Sequence, residues 1–158
     1  MPFPNLKTGF TVRNRGRAAF SALWLAGKQV PANILFTIAQ GATAGICNVT
    51  LQIGDKYGNP IANSDLSRNS FLVYLSDNAA GQGITALAPG TGIAAGANGA
   101  ILYAPLASKA VQVVADQNGT FQLAITDAAK TFLVYVCYVN PITGNVFASR
   151  KLVAGDYK

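Results

Sequence analysis

From Cys47 to Ile53 the chain alternates without a break: Cys47, Val49, Leu51 and Ile53 are apolar, and Asn48, Thr50 and Gln52 between them are polar. A period of two places the two sets on opposite faces of an extended backbone, so this segment is a strand with one face buried and the other wet. Such a strand needs neighbours beside it and a second layer over its apolar face. The same period recurs in Phe20, Ala22 and Trp24, in Ile34, Phe36 and Ile38, in Phe71, Val73 and Leu75, and in Phe121, Leu123 and Ile125. Ala, Gly and the β-branched residues dominate the rest, which favours short strands over helices.

Turn chemistry separates these segments. Gly54 to Pro60, Ser76 to Asn78, Asp116 to Gly119, Asp127 to Lys130 and Asn140 to Asn145 collect Gly, Pro, Asn and Asp. The Asn118-Gly119 pair predicts a hairpin joining Val111 and Val113 to Phe121–Ile125. Thr131 to Val139 is apolar on both faces, as in a central strand covered on each side, and Val146 to Val153 closes the sheet. Residues 79–108 are mainly Ala and Gly and read as a long irregular excursion with strand-like pieces near 84–87 and 100–104; a loop of that length marks a contact candidate. The reading is an all-β chain, a single antiparallel β-sandwich over 18–158 whose core contains Leu51, Ile53, Val73, Leu75, Leu123, Ile125, Val134 and Val136. A length of 158 residues suits one domain.

The side-chain inventory restricts chemistry. The chain has no His, and its 6 acids are all Asp. Ser/His/Asp and Cys/His catalytic sets and His-ligated metal sites are therefore impossible within one chain. Asp55, Asp77, Asp116 and Asp127 fall at strand ends, where an Asp carboxylate caps its own turn. Cys47 and Cys137 have strand parity that points both inward and read as two small buried hydrophobes, a disulfide between the sheets being conceivable. Gly90 to Gly96 lacks the spacing and the following helix of a dinucleotide loop. No enzyme, cofactor or metal is expected.

Charge is lopsided. The net charge is +6, and Lys7, Arg13, Arg15, Arg17 and Lys28 supply most of it within the first 28 residues, where there is no acid. Residues 1–17 combine this charge with prolines and glycines and read as a basic extended N-terminal arm, ordered only against a partner. Arg13, Arg15 and Arg17 alternate, so an extended arm presents them on one side as a cationic comb about 6.5–7 Å apart. Phe3, Leu6 and Phe10 are its apolar anchors, and with Lys7 and the three arginines they form the expected partner-binding set. One short basic cluster without interleaved aromatics points to an acidic protein surface, or to a plain solvated arm, rather than to nucleic acid. The uncharged stretches 29–54 and 78–108 are too broken by Gly, Pro and Asn to span a membrane as a helix, and the polar lead before Ala18 argues against a secretory leader.

Two segments resemble known proteins. Val49 to Ala62, an alternating strand entering Asp55-Lys56-Tyr57-Gly58-Asn59-Pro60, resembles bacterial immunoglobulin-like repeats of the invasin type. The succession of Phe71 to Asp77, a Gly/Ala/Thr-rich middle, Gly119 to Asp127, Lys130 to Val139 and Ser149 to Val153 resembles a family of small structural proteins of tailed bacteriophages, over roughly residues 30–158. The resemblance implies an immunoglobulin-like sandwich and a virion component, a capsid decoration or cement protein synthesised in the host cytoplasm. The implied partner is the major capsid protein or another virion protein, with the chain itself a homo-oligomer or bound in a lattice. The alternative is an immunoglobulin-like binding module of a tail or host-surface recognition component.

Overall fold

The computed structural model describes residues 31–61 and 70–158. The described residues hold strands β1 (Asn33–Gln40), β2 (Ile46–Gly54), β3 (Ser70–Ser76), β4 (Gly92–Ala95), β5 (Ala100–Leu106), β6 (Ala110–Val114), β7 (Thr120–Thr126), β8 (Tyr135–Val139) and β9 (Val146–Ala148), then one 3-10 turn, Ala154–Asp156. They form two antiparallel sheets, ordered β1-β2-β7-β4 and β5-β6-β3-β8-β9. The protein is a β-sandwich. The orders β1-β2-β7-β4 and β3-β8-β9 correspond to A-B-E-D and C-F-G of an immunoglobulin-type sandwich. The added pair β5-β6 extends the second sheet beside β3, and here the strand in the D position precedes that pair in the chain.

One core lies between the sheets. Cys47, Val49, Leu51 and Ile53 of β2 and Phe121, Leu123 and Ile125 of β7 face Phe71, Val73 and Leu75 of β3, Val111 and Val113 of β6, and Val136 and Tyr138 of β8. All eight residues expected in the core are buried. Phe71 joins the layers, edge-on to Phe121 of the opposite sheet at 6.2 Å between centroids and to Tyr138 at 5.0 Å. The Tyr138 hydroxyl is buried and finds no hydrogen-bond partner among the described residues.

Several expectations are corrected. The Asn118-Gly119 turn forms, with the Gly119 amide donating to Asp116 at 3.0 Å and the Asp116 amide donating to Thr120 at 2.8 Å, but it is not a hairpin between paired strands. β6 belongs to the five-stranded sheet and β7 to the four-stranded one, so the turn carries the chain across the sandwich. Gly119 has φ +71°, and a Cβ there would lie 1.9 Å from the Ile61 carbonyl oxygen, so the turn is wedged against the end of the β2 segment and the strands leaving it diverge. The expected strand Thr131–Val139 begins only at Tyr135, because Asp127 Oδ2 captures the Thr131 and Phe132 amides at 2.8 and 2.9 Å. Val146–Val153 shortens to Val146–Ala148, since the Ser149 hydroxyl accepts the Val136 amide at 3.0 Å in place of a backbone carbonyl.

Residues 79–108 are less irregular than expected. They contain β4 and β5, the latter matching the piece expected near 100–104, while 84–87 is not a strand. The segment between β3 and β4 is strapped onto the outer face of the five-stranded sheet. The Tyr74 hydroxyl donates to the Gly81 carbonyl, the Thr85 amide donates to Leu75 at 2.7 Å, and Asp77 accepts the Thr85 hydroxyl at 2.9 Å. Gly81, at φ +68°, is so close that a Cβ would meet Val146 Cγ1 at 2.6 Å and Cys137 Sγ at 3.3 Å.

That strap corrects the reading of the cysteines. Cys47 lies in the core between the sheets, but Cys137 points to the opposite face of its own sheet, where it packs with Tyr74 and Ala110. Its neighbours Val136 and Tyr138 take the inward positions. Both thiols are buried and free, and a whole sheet separates their side chains, so the conceivable disulfide is excluded by geometry.

Candidate partner-binding surface

The residues assigned to partner binding from sequence, Phe3, Leu6, Lys7, Phe10, Arg13, Arg15 and Arg17, lie outside the described residues, as does the strand expected at 18–25. The described surface shows something sequence reasoning did not single out. None of the nine strands contains a charged residue. Every Lys, Arg and Asp among the described residues is in a turn, a loop or the C-terminal segment, so both outer sheet faces are formed without ionic side chains of their own.

On the four-stranded sheet the outer face is polar and self-bonded over β2 and β7, while β1 adds the exposed Leu35 and Ala39. Alternation turns Thr37 of β1, Asn48, Thr50 and Gln52 of β2, and Thr120 and Gln122 of β7 outward. The Thr120 hydroxyl donates to Gln52 Oε1 at 2.7 Å, Gln52 Nε2 donates to the Asn118 carbonyl at 3.0 Å, and Gln122 Nε2 donates to Thr50 Oγ1 at 3.1 Å. Gln122 Oε1 in turn accepts the Ala97 amide at 2.9 Å, tying the face to the β4–β5 connection. These amides and hydroxyls are fixed before any partner arrives, which lowers the ordering cost of binding. The other sheet is apolar at its β5 side, with Leu102 and Tyr103 exposed to 55% and 61%.

The expected capping role holds for Asp55, Asp116 and Asp127, but not for Asp77, whose carboxylate instead accepts the Thr85 hydroxyl at 2.9 Å and the Ala86 amide at 3.3 Å across the strap while Ser76 bonds the Asn78 amide in its turn. Asp55 Oδ1 accepts the Tyr57 and Asn59 amides at 2.8 and 2.9 Å, and Asp116 Oδ1 accepts those of Asn118 and Thr120, both at 2.9 Å. Asp156 forms a two-pronged pair with Arg150, at 2.6 and 2.7 Å, and also accepts the Val153 amide at 2.8 Å. The Arg150 guanidinium is the main reason that the Asp156 carboxyl is held below the usual carboxylate range, outweighing its partial burial. Burial acts to raise Asp127, but the Phe132 and Thr131 amides more than offset it and hold that carboxyl low as well. Burial pushes the Cys47 thiol up to about 12 and the Cys137 thiol up to about 11, so neither is a thiolate at neutral pH.

These shifts fix a pH profile. A carboxyl whose folded pKa is depressed stabilises the fold at pH values above its unfolded pKa of about 3.9, and that stability is lost as pH falls through the lower folded value. With no His or Glu in the chain, no side chain titrates near neutrality at its ordinary pKa. Urea midpoints are expected to be flat from about pH 5 to 7.5 and to drop only below about pH 4. A step in stability centred between pH 5 and 7 contradicts this assignment.

Comparison of the chain with protein-family models, with curated proteins and with solved structures finds no match.

Proposed function

We propose that this chain is a non-enzymatic structural protein of a bacteriophage virion, a capsid decoration protein that binds and stabilises the assembled shell. The observation that carries the reading is the outer face of the β1-β2-β7-β4 sheet, formed by strands without charged residues and hydrogen-bonded side chain to side chain across β2 and β7. It is a rigid tile suited to repeated contact with another folded surface, where partners are matched by shape and hydrogen bonds. Among the described residues Asp55, Asp116 and Asp127 are bonded within their own turns, Asp77 to Thr85 and Asp156 to Arg150, and the chain carries no group with an ordinary pKa near neutrality to act as a general base. The likeness to small structural proteins of tailed phages supplies the particle, and the basic arm with Phe3, Leu6, Lys7, Phe10, Arg13, Arg15 and Arg17 supplies a second, electrostatic contact to an acidic site on the shell.

The number of copies per particle tests the reading. Quantitative mass spectrometry of purified phage particles is expected to find this chain at a fixed, high ratio to the major capsid protein. A handful of copies per particle moves it to a tail or host-recognition part, and its absence from purified particles overturns the virion reading altogether. Salt separates the two contacts: screening acts on the arm, over a length of about 8 Å at physiological ionic strength, and leaves the uncharged sheet face unaffected.

A further inference from the structure

Among the described residues the two sheets present four edges, and three of them are blunted. β4 is only four residues long and β9 three. β5 contains Pro105, and its pairing with β6 shifts register twice. Short strands, prolines and bulges are the usual protections of an exposed edge. β1 has none of them. It pairs with β2 in unbroken register over eight residues, Asn33 to Gln40, and contains no proline and no charge.

The direction of its free backbone groups follows from the ladder. The Gly41 amide donates to Ile46 at 2.8 Å, which makes that pair a hydrogen-bonded one. In an antiparallel ladder such pairs alternate, so Asn33, Leu35, Thr37 and Ala39 bond to β2, and Ile34, Phe36, Ile38 and Gln40 turn their amides and carbonyls outward. The Ile34 amide is satisfied by the Asn33 side chain at 2.8 Å, as this parity requires. Phe36, Ile38 and Gln40 have no such local cap among the described residues, and the side chains of Phe36 and Ile38 pack against the core while still half-exposed. Donors and acceptors in strict alternation are matched by an extended backbone, the mode of β-strand addition.

We propose that the occupant of this edge is β1 of a second copy, joined antiparallel about a twofold axis so that two four-stranded sheets become one of eight strands. The sequence of β1 is complementary to itself in one register. With Thr37 opposite Thr37 on the axis, Phe36 faces Ile38 and Ile38 faces Phe36, which are favoured aromatic and β-branched cross-strand pairs, while Leu35, exposed to 65%, comes opposite Ala39 on the outer face. In this register the amides of Phe36, Ile38 and Gln40 meet the carbonyls of Ile38, Phe36 and Ile34. No charge lies anywhere between residues 29 and 54 to repel its twofold mate. This inference does not depend on the virion reading, since it rests on the edge alone.

The test uses the full chain. Thr37 would occupy a non-hydrogen-bonded pair with its mate, where Cα atoms are about 4.5 Å apart, inside the disulfide window of about 4.4–6.8 Å. Thr37→Cys is expected to give a covalent dimer under mild oxidation at least about tenfold faster than Asn48→Cys, one strand further in on the same face. Equimolar Leu35→Cys and Ala39→Cys chains are expected to crosslink to each other faster than either does to itself, which reads the register. Cys47 and Cys137 are buried and do not compete. Thr37→Lys, placing like charges face to face, is expected to weaken the dimer seen by light scattering by about tenfold or more without lowering the thermal midpoint of the monomer. A native chain that stays monomeric at high concentration, or Thr37→Cys crosslinking no faster than Asn48→Cys, overturns the proposal; so does a dimer that Thr37→Lys leaves intact.

Discussion

Replacing Phe71 with alanine is expected to lower the unfolding free energy by about 3–5 kcal/mol, the range for deleting a buried aromatic ring. The ring is 1% exposed near the start of β3 and stands edge-on to Phe121 at 86° and to Tyr138 at 67°. Removing it leaves a cavity bounded by both sheets and ends two edge-to-face contacts, each worth about 0.5–1.5 kcal/mol beyond area burial. Against a typical total of about 5–15 kcal/mol, that loss brings the domain close to unfolding at physiological temperature. The check is a pair of urea curves with Leu72→Ala as control, because Leu72 is only half-buried on the other face of the same strand. A Phe71→Ala loss no larger than the control's contradicts the role of this ring as the tie between layers.

A second large effect is expected at the C-terminal end of the sandwich. Tyr157 is 1% exposed and its hydroxyl donates to the Phe132 carbonyl at 2.5 Å. The residues around it are held to the first sheet: the Gly45 amide donates to Lys158 at 2.9 Å, and Gln40 Nε2 donates to Gly155 at 3.0 Å. Tyr157 thus closes the core beside Leu152, and Tyr157→Ala is expected to cost about 3–5 kcal/mol. Tyr157→Phe keeps the ring and leaves the Phe132 carbonyl unpaired, at about 1–3 kcal/mol. Equilibrium unfolding of both variants separates the terms, and equal losses in the two would mean that the hydroxyl, not the ring, seals this end.

How far the sequence disclosed these features follows from how local each one is. β2 was legible residue by residue, because its buried and exposed positions alternate within one strand and need no knowledge of partners. The caps of Asp55, Asp116 and Asp127 were equally legible, since each of these carboxylates bonds amides within five positions of itself, whereas Asp77 reaches Thr85 and Ala86 across the strap, which no local pattern signals. Sheet membership was not. Asn118-Gly119 signals a tight turn, which is a local fact, but whether the strands leaving it pair or separate depends on β3 and β2, which claim β6 and β7 first. The face of Cys137 was legible after all: with Val134 and Val136 in the core, alternation turns Cys137 to the other side of the sheet. What was not legible is that the strap around Gly81 buries it there, since a Gly/Ala-rich segment gives no periodic sign of where it packs. The uncharged sheet faces were visible as the long charge-free stretches 29–54 and 78–108, although only the strand pairing shows that they become surfaces. The arm residues were argued from charge and lie outside the described residues.

Confining every described charge to turns and termini also determines what happens once the sandwich opens. Natural sequences commonly flank or interrupt sticky strands with a lysine, an acid or a proline that discourages misassembly between unfolded chains. Here Asn33 to Gly54 offers an unfolded chain more than twenty residues of β-prone sequence without such a gatekeeper, and Tyr135 to Val139 is wholly uncharged. Chains released by heat are therefore expected to coagulate faster than they refold, so the temperature at which the protein is lost depends on heating rate and concentration. What protects such a chain is the height of its unfolding barrier. For a protein with this surface, persistence is a matter of how seldom the two sheets part.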